Sequence, residues 1–181
     1  MLLNNMLKIG FVAFLLSTQL NAQSKPFFAE FKYNIMDGKA NSYVDTASDS
    51  TKFIALKAGK YLDEYPVRLS LEYDPIRWKD AQVDIITLNA EYVNSINKDL
   101  QYFAGVGIGR LHFQGDPINY TGLTVTSRVQ AGLIYDINKN IYLTSDVQYI
   151  YTNDAKIQDN AYSYSYLDNF FGMGFGVGVK F

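Results

Sequence analysis

The sequence predicts an all-β fold, an eight-stranded antiparallel up-and-down β-barrel. Apolar residues recur at every second position in eight separate segments, which is the pattern of strands whose two faces meet different surroundings. Short turn-forming segments and longer polar segments alternate between these strands. No window of similar length has the period of an amphipathic helix. Strands joined in this way close into a barrel with short turns at one end and long loops at the other.

The first four predicted strands pair an apolar face with a polar or charged one. They cover 26–35, 53–62, 66–74 and 83–93. The third, PVRLSLEYD, is the clearest, because each apolar residue from Val67 to Tyr73 is followed by a polar or charged residue. The first, second and fourth, PFFAEFKYNI, FIALKAGKYL and VDIITLNAEYV, repeat this alternation.

The last four predicted strands keep the alternation but bring in glycine. They cover 100–110, 124–135, 141–151 and 169–181. The sixth and seventh, TVTSRVQAGLIY and IYLTSDVQYIY, carry mostly polar residues on the second face. The fifth and eighth contain AGVGIG and GMGFGVGVKF, in which glycine takes that face. Glycine there either makes room for large neighbouring side chains or allows the sheet to curve.

The N-terminus predicts a secretory signal peptide over residues 1–22. Lys8 precedes an apolar run at 9–16, and a polar stretch follows up to Ala22. The alternative, a helical membrane anchor, needs about 20 apolar residues, and the run is far shorter. Residues 23–181 then form one barrel domain.

Composition removes several classes of function. Without cysteine there is no disulfide framework, thiolate metal site or cysteine nucleophile. With His112 as the sole histidine, zinc sites and catalytic triads lack most of their parts. The net charge of −2 gives no reason to expect a nucleic-acid partner. We find no motif for a metal, phosphate or other cofactor.

The apolar face is predicted to meet lipid, which makes the barrel a transmembrane one. A soluble barrel of the lipocalin kind is the alternative, with the same face turned inward. Strands of about 10 residues match a tilted crossing of the bilayer, and the loop pattern puts both termini at the short-turn end. Aromatic residues near strand ends on the apolar face suit two interfacial girdles: Phe27, Tyr73, Tyr92, Tyr102, Tyr135, Tyr151, Phe171 and Phe181.

Residues 27–181 resemble the small eight-stranded outer-membrane barrels of the OmpA/OmpX type. The final strand, with its alternating apolar residues and terminal Phe181, carries the resemblance, together with YFAGVGIG in the fifth strand. The resemblance implies a Gram-negative outer membrane, with membrane lipid and lipopolysaccharide as neighbours. It also implies that the outer-membrane assembly machinery reads the last strand and Phe181 as an assembly signal.

The face opposite the apolar one carries charges of both signs along the barrel. The predicted lumen charge network comprises Glu30, Lys32, Lys57, Arg68, Glu72, Asp74, Glu91, Arg128, Asp146 and Lys180. An eight-stranded barrel is just wide enough for side chains to fill it, and buried charges there must pair. The network is therefore interpreted as a closed plug of ion pairs, with a narrow ion or small-solute channel as the alternative.

The predicted loops contain aromatic residues that could make contacts outside the barrel. Trp78, beside Arg77, is a possible contact at lipopolysaccharide headgroups. Tyr162, Tyr164 and Tyr166 alternate with serine, which suits either an adaptable contact surface or a hairpin that extends the last two barrel strands.

The first functional hypothesis is a non-enzymatic barrel for envelope integrity or for surface interaction with an unknown extracellular ligand. The alternatives are the channel and a lipid A-modifying enzyme. For the enzyme, His112 has no serine close by in the sequence and is interpreted as an interfacial side chain.

Overall fold

The chain folds as one closed antiparallel barrel. A computed structural model describes residues 27–41, 46–77, 81–115, 120–152, 156–159, 162–165 and 169–181. The strands are β1 (Phe27–Asn41), β2 (Thr46–Tyr61), β3 (Val67–Arg77), β4 (Ala81–Ser95), β5 (Leu100–Gly115), β6 (Tyr120–Asp136), β7 (Ile141–Thr152), β8 (Lys156–Asp159), β9 (Tyr162–Ser165) and β10 (Phe170–Lys180). Eight of them close in the order β1-β10-β7-β6-β5-β4-β3-β2. The predicted eight-stranded up-and-down barrel is confirmed. The predicted signal peptide, 1–22, lies outside the described residues and stays a prediction.

The first and last strands of the barrel close it. β1 and β10 pair antiparallel from Phe28↔Lys180 to Asp37↔Phe171. Beyond the ladder, the N–H of Phe27 donates to the carbonyl of Phe181 at 3.2 Å, and the N–H of Phe181 donates to the carbonyl of Phe27 at 3.0 Å. Lys180 also donates its N–H to Asn140 in the β6–β7 turn, at 2.7 Å. The start of β1 and the end of β10 therefore lie at the end with the short turns, which we call the turn end, and the opposite end is the loop end.

The strands are longer at the loop end than the sequence pattern predicts. The pattern predicts a long loop over residues 36–52, yet β1 and β2 leave only 42–45 between them. Likewise, β5 and β6 leave only 116–119 of the expected loop 113–122. The register of each antiparallel pair is set by the residues nearer the turn end. Pairing then continues towards the loop end through polar residues such as Asp37↔Ser50, because the hydrogen bonds of the ladder need only backbone groups. Apolar alternation marks only the part of each strand that faces lipid.

The long connection before β10 contains a small hairpin. Lys156↔Ser165 to Asp159↔Tyr162 pair antiparallel, and β8 and β9 form a two-stranded sheet separate from the barrel sheet. The sequence suggests a hairpin here as a continuation of the last two barrel strands. The structure instead gives it a sheet of its own.

Side chains alternate across the barrel wall. Outward residues such as Phe31 and Ile108 are 66% and 63% exposed, and they form an apolar surface around the barrel. Inward residues at the same levels are buried, including Lys32 at 0%. This apolar outside and polar inside is the arrangement of a transmembrane barrel. Among the described residues, no helix is long and apolar enough to cross a bilayer.

Candidate functional site

The barrel interior contains a charged layer at mid-height. Nine of the ten predicted lumen charges lie there, each at most 5% exposed: Glu30, Lys32, Lys57, Arg68, Glu72, Asp74, Glu91, Arg128 and Asp146. They come from six strands, and each occupies an inward position of its strand. Period-two alternation explains this placement, because the positions opposite the lipid-facing residues can only point into the lumen.

Lys32 and Arg128 connect one half of the charged layer. The Nζ of Lys32 lies 3.0 Å from Glu72 Oε1 and 2.9 Å from Asp146 Oδ2. Arg128 contacts Glu72 Oε2 at 2.7 Å through Nη1 and pairs with Asp74 through Nη2. Glu72 therefore joins a cation of β1 to a cation of β6 across the lumen.

Arg68 and Lys57 connect the other half. Arg68 Nη1 donates to Glu30 Oε1 at 2.8 Å, and its Nε pairs with Glu91. Lys57 also pairs with Glu91 and lies 3.6 Å from Glu72 Oε2. Glu91 additionally accepts a hydrogen bond from Gln130 Nε2 at 2.6 Å. The two halves thus form one continuous network, in which each carboxylate contacts at least one cation.

The turn end of the lumen is filled by an apolar and aromatic turn-end layer: Phe28, Val93, Phe103, Ile134 and Tyr142, with Tyr61 packed against them. The guanidinium of Arg68 lies 4.8 Å from the ring centroids of both Phe28 and Phe103. Tyr142 donates its hydroxyl to Glu30 Oε1 at 2.9 Å. These contacts join the turn-end layer directly to the charges, since an arginine lies favourably on aromatic faces.

The loop end of the lumen is filled by a larger apolar loop-end layer: Met36, Phe53, Ala55, Ile76, Val83, Ile85, Leu111, Ile150 and Phe170. Most of its side chains are fully inaccessible to solvent. The sequence pattern predicts charges along the whole inner face, and both apolar layers correct that prediction. The sequence does contain a sign of the apolar layers in its adjacent apolar pairs, because two successive apolar residues of a strand place one on each face. Examples are Phe27-Phe28, Ile85-Ile86 and Phe170-Phe171.

Glycines of β10 and β1 make room for large lumen side chains. A Cβ on Gly178 would lie 2.1 Å from Cζ of Tyr142. On Gly38 it would lie 2.4 Å from Cδ1 of Phe170. Of the two predicted roles, space for large neighbours fits these positions, because a methyl group and the ring cannot both occupy them.

Lys180 and Phe181 lie at the turn end, apart from the charged layer. Lys180 Nζ is 2.6 Å from Asp136 Oδ1, and both side chains are partly exposed. Asp136 is not among the predicted lumen charges. The Phe181 ring stacks near that of Phe27, with centroids 6.3 Å apart. Its role as an assembly signal stays a prediction.

An outward polar cluster lies at the loop-end border of the apolar surface. Arg77 Nη2 donates to Asp84 Oδ1 at 2.8 Å, and the hydroxyl of Tyr73 donates to the same oxygen at 2.7 Å. His112 faces Asp84 and Leu123 in the ladder, so no serine occupies either paired position. Trp78 and Tyr166 lie outside the described residues, and for Tyr162 and Tyr164 the structure gives only their place in β9.

The buried charged groups of the described residues pair with one another. Within the described ranges, no group of three or more His, Cys, Asp or Glu residues is arranged to hold a metal ion. The buried carboxylates contact cations of the charged layer, and the interior is covered at both ends by apolar side chains. The arrangement stabilises charge inside the barrel.

Fold, lipid-facing surface and filled polar lumen together define a small transmembrane β-barrel of the outer-membrane kind. Solved structures with this fold are similar to the chain. The crystal structure of Neisserial surface protein A has a TM-score of 0.67 at 16% identity, covering 89% of this chain and 100% of that one. Outer membrane protein H (OprH) from P. aeruginosa has a TM-score of 0.59 at 15% identity, covering 86% and 99%. Ail, the attachment invasion locus protein of Yersinia pestis, has a TM-score of 0.56 at 14% identity, covering 87% and 100%.

These similarities concern the fold. The predicted resemblance to small OmpA/OmpX-type barrels is confirmed at that level. No protein-family model matches the chain, and no curated protein matches it either.

Proposed function

We propose that the chain is a non-enzymatic protein of the Gram-negative outer membrane whose barrel is closed to solutes and which acts at the cell surface. The observation that carries this proposal is the filled lumen. A solute entering from either end meets an apolar layer first and the charged layer next. A solute could cross the barrel only if the side chains of the apolar layers and of the charged layer moved aside.

The charged layer supports a closed barrel more than a pore. A permeant ion needs a path on which it exchanges its hydration for polar groups that are free to receive it. Here Arg68 and Arg128 each pair with two carboxylates, and Lys32 does the same. Opening a path would separate buried opposite charges, and breaking one such pair costs about 3–5 kcal/mol.

The loop end is the part of the molecule that suits surface contact. Strands continue there through polar residues, and the β8–β9 hairpin adds tyrosine and serine to the same end. Tyr and Ser are residues of adaptable binding surfaces. Among the similar structures, one is named as a surface protein and another as an attachment invasion locus protein. Surface interaction or envelope integrity is the role we propose from this end.

The outward polar cluster supports contact with lipopolysaccharide. Arg77 remains 44% exposed even while it bonds Asp84, so its guanidinium is accessible to a phosphate at the headgroup level. The aromatic residues near both borders fit interfacial anchoring, with Tyr92 and Tyr102 at the turn end and Tyr151 and Phe171 at the loop end.

Planar-bilayer conductance tests the closed barrel. We expect no steady single-channel steps from the purified, folded protein. Steps that disappear on Arg68→Met or Glu72→Gln substitution would establish the channel alternative instead.

Two measurements in cells test the surface role. Replacing residues 153–168 by a two-residue Asn-Gly turn should leave a folded barrel, seen as faster migration of the unheated protein on SDS gels. If the hairpin mediates surface contact or integrity, cells with this variant should resemble a deletion strain in detergent sensitivity or adhesion. Lipid A that changes mass on overexpression would support the enzymatic alternative and refute this proposal.

A further inference from the structure

Three residues from adjacent strands form one row across the inner wall. Asn34 of β1 pairs with Gly174 of β10, and Gly174 pairs with Asp146 of β7. Because glycine has no side chain, Asn34 and Asp146 face each other above it. A Cβ on Gly174 would lie 2.4 Å from Asn34 Oδ1 and 3.1 Å from Asp146 Oδ1. Both oxygens thus border the same space.

Both of these oxygens are acceptors without a donor. Among the described residues, neither Asn34 Oδ1 nor Asp146 Oδ1 has a hydrogen-bond partner, although both side chains are buried. Their other ends are occupied. Asn34 Nδ2 donates to Asp74 Oδ1 at 3.3 Å, and Asp146 Oδ2 contacts Lys32 Nζ at 2.9 Å. Asn34 therefore lies between two carboxyl groups, those of Asp74 and Asp146.

An amide in this place can satisfy only one carboxylate. The nitrogen of an asparagine side chain donates and its oxygen only accepts. Rotating the Asn34 amide by half a turn would supply Asp146 with a donor but would turn the oxygen towards Asp74. In either orientation one carboxyl group faces an acceptor. A hydrogen carried by that carboxyl group would satisfy the contact.

The charge count of the lumen leads to the same conclusion. Among the described buried side chains, the acidic ones are Glu30, Glu72, Asp74, Glu91 and Asp146. The basic ones are Lys32, Lys57, Arg68 and Arg128, one fewer. Lys180 does not restore the balance, because it pairs with Asp136 at the turn end. An excess buried charge is expensive, and one buried proton would remove it.

We propose that Asp74, Asn34 and Asp146 form a binding site for one proton inside the barrel. With the amide oriented as described, Asp146 carries the proton and donates Oδ1–H to Asn34 Oδ1. With the amide reversed, Asp74 carries it and donates to the same oxygen. One hydrogen satisfies both acceptors and makes the buried network neutral.

Three charged groups, two cations and one carboxylate, lie around the site. Lys32 of β1, Glu72 of β3 and Arg128 of β6 are the charged groups next to the site. β10 contributes only glycine at this level, and the neighbouring inward residues of β6, Gln130 and Gly132, have no charge. The three glutamates of the layer each contact two or more cations, or one cation and a further donor. This site is independent of the role that the loops play at the surface.

Infrared spectroscopy of the folded protein in detergent micelles at neutral pH tests the proposal. We expect a carbonyl band from one protonated carboxyl group, which ionised carboxylates do not give. Labelling with aspartate that carries ¹³C in its side-chain carboxyl should shift this band, whereas the same label in glutamate should leave it in place. The labels need no substitution, so the assignment does not depend on a variant that folds.

Substitutions then locate the proton. In Asp146→Asn the new amide donates permanently to Asn34, and the band should be lost. Asp74→Asn should remove it as well, with the Asn34 amide reversed. The matched control is Asp136→Asn, which makes the same exchange on the inner face at the turn end and should retain the band.

Two results would overturn the proposal. One is a wild-type protein without a protonated carboxyl band, and the other is a band that persists in both Asp146→Asn and Asp74→Asn. A small cation between the two oxygens would give the first result. It would also make heat stability fall when sodium and potassium are replaced by a bulky organic cation.

Discussion

The charged layer and the loop-end layer occupy the same lumen and follow different rules. In the charged layer, Glu72 contacts Lys32, Lys57 and Arg128 together, so each partner depends on the others. In the loop-end layer, residues such as Ile85 and Leu111 make only non-directional contacts. A charge that loses its partner stays buried and unpaired, whereas an apolar side chain that shrinks loses contacts in proportion to its size. The two layers should therefore respond very differently to single substitutions.

Arg128→Met should produce the largest change. It removes the cation shared by Glu72 and Asp74 and leaves both carboxylates in a buried position. We expect the free energy of unfolding to fall by about 3–5 kcal/mol, because breaking a buried pair leaves uncompensated charge. Urea unfolding in lipid vesicles measures it. Arg77→Met removes a partly exposed arginine with one carboxylate partner and should change stability by only about 0–1 kcal/mol. Equal effects of the two substitutions would contradict the comparison.

Gly178→Ala extends the comparison to the turn-end layer, where space is the limit. The added methyl group meets the Tyr142 ring, and overpacking of this kind costs about 1–3 kcal/mol. A double-mutant cycle compares the unfolding midpoints of Gly178→Ala, Tyr142→Leu and the variant that carries both substitutions. The cost should be smaller when Tyr142→Leu is already present, and a cost independent of residue 142 would show that the ring is not the obstacle.

Ile85→Val should lower the free energy of unfolding moderately, and by more than the same substitution at an outward position. Ile85 is fully buried in the loop-end layer, and removing one methyl group there costs about 0.5–1.5 kcal/mol through the small cavity it leaves. Ile86→Val is the control. Ile86 is 46% exposed on the outer surface, where lipid fills the space. A larger loss from Ile86→Val than from Ile85→Val, measured by urea unfolding, would refute the assignment of inner and outer faces.

Asp84→Asn should have the smallest effect on stability. It removes the charge that Arg77 contacts in the outward polar cluster, and exposed pairs of this kind contribute about 0.2–1 kcal/mol. If the cluster meets lipopolysaccharide, the variant should bind it at least as tightly as wild type, because Arg77 is then free of its acidic partner. Weaker binding in a co-sedimentation assay with lipopolysaccharide would argue against a phosphate contact at Arg77.

The part of the molecule that faces lipid was the part that the sequence predicted best. Lipid demands an apolar side chain at each outward position, and this requirement produces the strict period of two through Val67 to Tyr73 and Phe171 to Val179. The charges of the inner face followed directly from the same alternation. Strand ends were underestimated, because residues such as Asp37 and Ser50 pair through backbone groups without any apolar signature.

The specific partners inside the lumen could not be predicted. The pairing of carboxylates with cations depends on the register between neighbouring strands, as for Lys57↔Glu72. It also depends on how far a side chain extends into the lumen, as for Lys32 and Glu72, whose strands are not neighbours. Neither is visible in a single sequence. The position of Lys180 shows the difficulty: it shares the inward face of β10 yet lies at the turn end with Asp136. The predicted network has five cations and five anions, whereas the described buried charges are four cations and five anions.

The pairing of β1 with β10 has a consequence for how fast the barrel forms. Its contacts join residues separated by almost the whole chain, and such contacts form late because the intervening loop must first be closed. Until then, β1 and β7 present rows of unpaired backbone groups, which neither lipid nor a packed core can satisfy. The glycine-rich β10 ends this exposure at both edges in a single step. A substitution that slows its docking prolongs the interval in which the unfinished barrel can aggregate, even if the finished barrel is as stable as before.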